Sequence, residues 1–202
     1  MFDRRIGALT LALVGSILAT APARAGAVLD YVGTYIWTMD QSTFGGFSAI
    51  DISPDGTGFH ALTDRAHLYW GRIERDAQGL VRGMSVAGRT NLKDSKGQPL
   101  PPGYTGDSEG IAVGPDGRIH VSFEGLDRVA TYDHPDAPAT THPRPDRLPG
   151  MGVNVGLEAL AIDDDGTLFA VPERSGSETQ PFTILSFDGA WTEYGQIRRD
   201  PR

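Results

Sequence analysis

Five carboxylates at repeated positions, a sixth at Asp107 and three arginines run through this chain in the order Asp64–Arg65, Asp107, Glu109, Glu124–Arg128, Glu158 and Glu173–Arg174. Carboxylates gathered at one place repel one another and need protons, arginines or a divalent cation. A donor set made only of oxygens favours calcium, with magnesium the other candidate, over zinc or copper. The 202-residue sequence has no cysteine and no paired histidines at ligand spacing for a softer metal. A cation held by Asp64, Asp107, Glu109, Glu124, Glu158 and Glu173 would polarise a phosphoryl oxygen and activate water. Arg65, Arg128 and Arg174 could then grip the phosphate through paired N–H donors. Glu109 and Glu158 are the candidate general bases. The competing reading is that these acids and arginines are structural ion pairs pinning strand ends together.

The elements that must position these groups come from an internal repeat. Three stretches share a leading polar residue, an apolar run, an Asp-Gly turn, a second apolar run and a trailing acid. They begin at Ser48, Glu109 and Glu158, turn at Gly56, Gly117 and Gly166, and end at Asp64, Glu124 and Glu173. Pro presets φ, Asp bonds its own backbone and Gly takes φ > 0, so each unit is a β-hairpin. Leading and trailing acids then face each other across the open end, as near cross-strand partners in the second and third units. One extra residue, at Thr57-Gly58, predicts a bulge in the first.

Further strands are expected at Val28 to Tyr35, His67 to Arg75, Leu80 to Ala87, Arg128 to Asp133, Phe182 to Phe187 and Trp191 to Gln196. Asn91 to Gly106 and the proline-rich stretch 135–149 read as loops. No window shows helical periodicity. Four strands per repeat is the pattern of β-propeller blades. The expected fold is all-β: a partial propeller of about three and a half blades of four-stranded antiparallel sheet. The polar end at Arg198 to Arg202 suggests a C-terminally truncated domain, closed by oligomerisation if it closes at all.

Residues 1–25 read as a signal peptide. Arg4 and Arg5 precede an apolar run, and Ala23-Arg24-Ala25 fits cleavage after Ala25. The run is too short to span a membrane. Export to the periplasm or medium is expected, leaving residues 26–202 as one domain with no membrane span. Losing three arginines and one aspartate takes the formal net charge from −8 to −10. So acidic a surface argues against nucleic acid as a partner.

Phe44-GGFSAIDISPDG, Asp107-SEGIAVGPDGRIHVSFEG and Asn154-VGLEALAIDDDGTLFAVPERS together resemble the exported family described as "esterase-like activity of phytase". The likeness runs from about Val32 to Trp191. It implies a β-propeller rich in acids at repeated positions, with phosphodiesterase- or phytase-like activity on a small phosphorylated substrate. The residues it carries over are Asp64, Arg65, Asp107, Glu109, Glu124, Asn154, Glu158, Glu173 and Arg174.

Other residue types offer weaker chemistry. Asp163-Asp164-Asp165-Gly166 lacks the remaining ligands of an EF-hand and reads as a hairpin turn. His60 and His120 occupy a slot filled by Phe169 in the third unit, which marks packing. His67, His134 and His142 lie near loops and read as solvated. Ser48, Ser108, Ser122 and Ser175 sit in no Gly-x-Ser-x-Gly elbow, so serine hydrolase chemistry is disfavoured. Trp37, Trp70 and Trp191 read as packing between blades. Two function classes stay open: a hydrolase acting on phosphate esters, and a non-catalytic ligand- or partner-binding propeller of the cell envelope.

Overall fold

A computed structural model of the chain describes residues 31–125, 127–145 and 156–199. The expected signal peptide and Asn154 lie outside these residues. Gly33–Arg202 is one compact unit. Its described residues hold twelve strands in three four-stranded antiparallel sheets. The first sheet is β1 (Phe47–Ile52), β2 (Gly58–Thr63), β3 (His67–Arg75) and β4 (Val81–Asn91). The second is β5 (Ser108–Val113), β6 (Ile119–Phe123), β7 (Arg128–Tyr132) and β8 (Thr140–Thr141). The third is β9 (Leu157–Ile162), β10 (Leu168–Pro172), β11 (Phe182–Phe187) and β12 (Trp191–Ile197). Among the described residues there is no helix, and so none long and apolar enough to cross a membrane.

Each sheet is a simple meander, and β5 lies between β1 and β9, so the first strands of successive sheets neighbour one another. That is the arrangement of propeller blades. The expected half-blade is absent from the described residues. Residues 31–35 of the expected leading strand are coil, and β11 and β12 complete the third sheet. Thr140–Thr141, inside the proline-rich stretch, pairs with β7 as a two-residue edge strand. Edge positions tolerate such proline-flanked pairing because only one side of the strand needs partners.

The three hairpin turns form as their sequences demand. The amides of Gly56, Gly117 and Gly166 bond back to Ser53, Gly114 and Asp163, and all three glycines have positive φ (72°, 82° and 88°). Asp163 Oδ1 accepts from the amides of Asp165 and Thr167. The triple-aspartate stretch is therefore a turn holding itself closed. The extra residue of the first unit does not make a bulge at Thr57-Gly58. It lengthens the turn, because Ser53 pairs with Gly58 where Gly114 pairs with Arg118 and Asp163 with Thr167. The hairpin bulges lie at the opposite, open end, between Phe47 and Ala49, Ser108 and Ile111, and Val171 and Pro172.

The core follows the sheet order. The middle sheet is covered on both faces, with all of β6 buried. Leu62 and Leu68 of the first sheet pack with Ile111, Val121, Phe123 and Tyr132 of the second. Val129 joins Leu157, Leu168 and Leu185 of the third. The outer side of the first sheet is capped by Trp37, which stacks on Phe47 at 5.2 Å and meets Phe59 edge-on. Trp70 packs against the first cluster and Trp191 against the second.

Serines latch the first two sheets together. Ser48 Oγ donates to the Ser108 carbonyl at 2.7 Å. Ser108 Oγ, fully buried, donates to the Thr63 carbonyl at 2.6 Å and accepts from the Ala66 amide. Ser108→Ala is expected to cost about 1–3 kcal/mol by leaving these groups short of a partner. Urea unfolding should show a lower midpoint at unchanged slope.

His120 is buried and its Nδ1 meets Thr131 Oγ1 at 2.8 Å. The same hydroxyl meets His142 Nε2 at 2.6 Å, and His142 packs on Phe187. His142 is thus a half-buried link between the second and third sheets, not a solvated loop residue. His67, at the start of β3, is also half-buried, whereas His134 is exposed. Burial pulls the His120 imidazole down to about 4, so it stays neutral at physiological pH.

Candidate functional site

The open-end bulges decide which side chains meet. Without its bulge, β5 would place Ser108 opposite Glu124. With it, Ser108 pairs with Phe123 and the Glu124 amide bonds to the Asp107 carbonyl at 3.0 Å. The same shift pairs Asp64 with Gly46 and Glu173 with Gly156. Asp107, Gly46 and Gly156 are therefore equivalent positions, and only the second unit carries a third acid there. The sequence reading paired leading with trailing acids and had no means of seeing this step.

Asp107, Glu109 and Glu124 each bring a carboxylate oxygen within 4.8 Å of the other two. All three are partly buried. Glu109 is pushed up to about 7, first by burial and then by the charges of Glu158, Asp107 and Glu124. Glu124 is raised by burial, Asp107 and Glu173. Glu158 is raised by burial, Glu173, Glu124 and Asp107. Five acids thus share one field at the open ends of the second and third hairpins, three of them within reach of a common ligand.

Close backbone approach builds this corner. A Cβ on Gly110 would stand 2.9 Å from Leu160 Cβ and 3.0 Å from the Glu158 carbonyl. A Cβ on Gly156 would stand 2.7 Å from Glu124 Cγ. Ser122 Oγ, buried, accepts the Gly110 amide at 2.8 Å and holds the bulge. Sequence reasoning passed over the two glycines and weighed Ser122 only as a disfavoured nucleophile. Glycine beside the leading acid, in Glu109-Gly110, was the available signal.

The remaining expected residues stand apart from the trio. Asp64 Oδ1 accepts from Arg65 Nε at 3.0 Å. Arg174 lies 3.3 Å from Glu173 Oε1, both groups exposed. Surface pairs of this kind add little stability and exchange partners readily. Arg128 does not hang free to grip phosphate beside these acids. It donates to the Gly125 and Thr105 carbonyls and lies 3.9 Å over the Phe123 ring.

The model of the family described as phytase-like, "esterase-like activity of phytase", matches residues 42–201. The chain belongs to this phytase-like family. No curated protein matches it. Among solved structures, the selenomethionine-substituted virginiamycin B lyase from Staphylococcus aureus is similar at 14% identity and a TM-score of 0.39, covering 73% of this chain and 40% of that one. A streptogramin B lyase is similar at 14% identity and a TM-score of 0.41, covering 74% and 54%. The phytase-like chain spans about half the length of these structures or less.

The donor chemistry of Asp107, Glu109 and Glu124 suits a hard divalent cation. Their mutual repulsion, visible in the raised Glu109 and Glu124 carboxyls, is the condition such a charge would relieve.

Proposed function

We propose that this phytase-like propeller binds calcium, or magnesium in its place, at Asp107, Glu109 and Glu124 and hydrolyses a phosphate ester there. The observation that carries the reading is the convergence of three carboxylate oxygens within 4.8 Å. When bound, a divalent cation polarises a phosphoryl oxygen and lowers the pKa of water. Glu158 and Glu173 extend the negative field from the neighbouring hairpin. Glu158, whose carboxyl is raised by burial and by Glu173, Glu124 and Asp107, is the candidate base left outside the ligand set to take a proton from water. Arg174, exposed and paired with Glu173 among the described residues, can turn to a phosphate oxygen, and Arg65, exposed beside Asp64, is the second candidate. Periplasmic or secreted location belongs to the same reading, since calcium and exported phosphate esters meet there.

The experiment is turnover of a phosphomonoester and a phosphodiester panel by residues 26–202, in calcium and in chelator. The expected result is turnover that needs calcium and falls about 100-fold or more in Glu158→Gln. A folded protein that binds calcium without turning over either class would favour the second reading, a non-catalytic binding propeller of the cell envelope. The pairing of Arg65 with Asp64 and of Arg174 with Glu173 speaks for that alternative.

A further inference from the structure

A cavity lies between β7, β8 and the loop that follows β4. It measures about 380 Å³, within the range of small-molecule sites. Its charged lining is Lys93, Arg128, Arg144 and Asp94, an excess of positive charge in a chain whose formal net charge is −8. Leu100, Pro101, Ala130 and Ala139 give it apolar walls.

Tyr132 also lines this cavity. Its side chain is fully buried, and its hydroxyl has no hydrogen-bond partner among the described residues. Burial holds the phenol above its ordinary range, so it stays protonated and remains a donor. A buried hydroxyl without a partner is uncommon and costs about 1–3 kcal/mol.

The cations around it are only partly engaged. Arg128 gives one N–H to Gly125 and one to Thr105, out of the five a guanidinium carries. Arg144 is exposed and its charge acts on Arg128. Lys93 donates to the Asp136 carbonyl at 2.8 Å and lies 3.9 Å from its carboxylate. Asp94 carries the opposing charge, and its Oδ1 accepts the Lys96 and Gln98 amides. Arg128 holds N–H groups beyond its bonds to Gly125 and Thr105, and with the exposed Arg144 they outnumber the Asp94 carboxylate in the described lining, which suits an oxyanion.

We propose that this cavity binds a small organic oxyanion, a phosphate or carboxylate on an apolar body, held by Tyr132, Arg128 and Arg144 against the Leu100 and Pro101 wall. The site is separate from the carboxylate trio and makes no use of a divalent cation.

Calorimetric titration in chelator tests it, because the carboxylate trio then contributes nothing. The probes are inorganic phosphate, phenyl phosphate and benzoate. Saturable binding of phenyl phosphate or benzoate is expected, about tenfold tighter than inorganic phosphate, and the better of the two tells phosphate from carboxylate. Arg144→Gln, at an exposed position, should weaken the binding about tenfold. Tyr132→Phe should weaken it while leaving the melting temperature of the ligand-free protein unchanged or higher, since it removes an unpaired hydroxyl. No saturable binding of any probe up to ~10 mM would overturn the proposal. So would affinity indifferent to both substitutions, or a ligand-free Tyr132→Phe protein that melts earlier.

Discussion

Raising the pH from about 4.5 to about 7 in the presence of chelator should destabilise the native protein through Glu109. Its carboxyl lies near 4.5 when unfolded and is pushed up to about 7 when folded, by burial and then by Glu158, Asp107 and Glu124. Within that window the native state holds more protons than the unfolded state, so stability falls as pH rises. The contribution is fully favourable below the unfolded value and is lost above the folded one. One pKa unit is about 1.4 kcal/mol. Because Glu109 is only partly buried, solvent screening reduces the whole shift to about 1–2 kcal/mol. That corresponds to roughly 2–8 °C in melting temperature for a chain of this size.

His120 works in the opposite sense. Its folded value is depressed to about 4, so it favours the native state above its ordinary value near 6.5 and that advantage is lost as pH falls. The two windows overlap, and the wild-type profile alone mixes them. The difference between wild type and Glu109→Gln isolates the carboxyl. That difference should grow from pH 4.5 to 7, with the variant the more stable at neutral pH. A flat difference would mean that Glu109 is solvated and that the acids do not share a field. Saturating calcium should flatten the difference by compensating the ionised carboxylates.

Gly110→Ala should cost about 3 kcal/mol, at the upper end of overpacking effects. The added carbon would meet Ser122 Oγ at 2.6 Å, Leu160 Cβ at 2.9 Å and the Glu158 carbonyl at 3.0 Å. Two of those three atoms belong to β9, whose position is fixed by the packed third sheet, so β5 and β9 must separate. Separation moves Glu109 from Glu158 and should also lower the raised Glu109 carboxyl. Gly195→Ala is the control, since nothing lies within 4 Å of its added carbon. It should change stability by under about 1 kcal/mol. Denaturant melts of both variants check the contrast, and equal midpoints would mean that the two inner strands are not in close contact.

The hairpins were readable because their turns are written in side-chain types. Pro115-Asp116-Gly117 specifies φ and a hydrogen-bond acceptor residue by residue, and strands follow on either side. The carboxylates of the candidate site were readable for the same reason, since the repeat marks Glu109, Glu124, Glu158 and Glu173. Their partnership was not. The bulge at Glu109-Gly110 is a backbone register step that replaces Ser108 with Asp107 opposite Glu124. No side-chain type requires it, and it brings Asp107 to the expected Glu109–Glu124 pair.

Longer-range packing was equally silent in the sequence. His142 looked like part of a proline-rich loop, but Thr131 draws it into the contact between the second and third sheets. Arg128 looked like a phosphate ligand beside Glu124, but the Gly125 and Thr105 carbonyls hold it elsewhere. The last two strands, β11 and β12, join the third sheet for a related reason. Strand pattern fixes how many strands exist, and sheet membership depends on tertiary pairing.

Calcium titration of wild type and Asp107→Asn at pH 7, in two buffers of different ionisation heat, is the most direct test of the carboxylate trio. Wild type should bind one calcium and release protons, because Glu109 and its neighbours must ionise to hold it. Asp107→Asn, which removes the acid unique to the second repeat, should weaken binding at least tenfold. Calcium affinity that is unchanged in Asp107→Asn, with no proton release in wild type, would contradict the site.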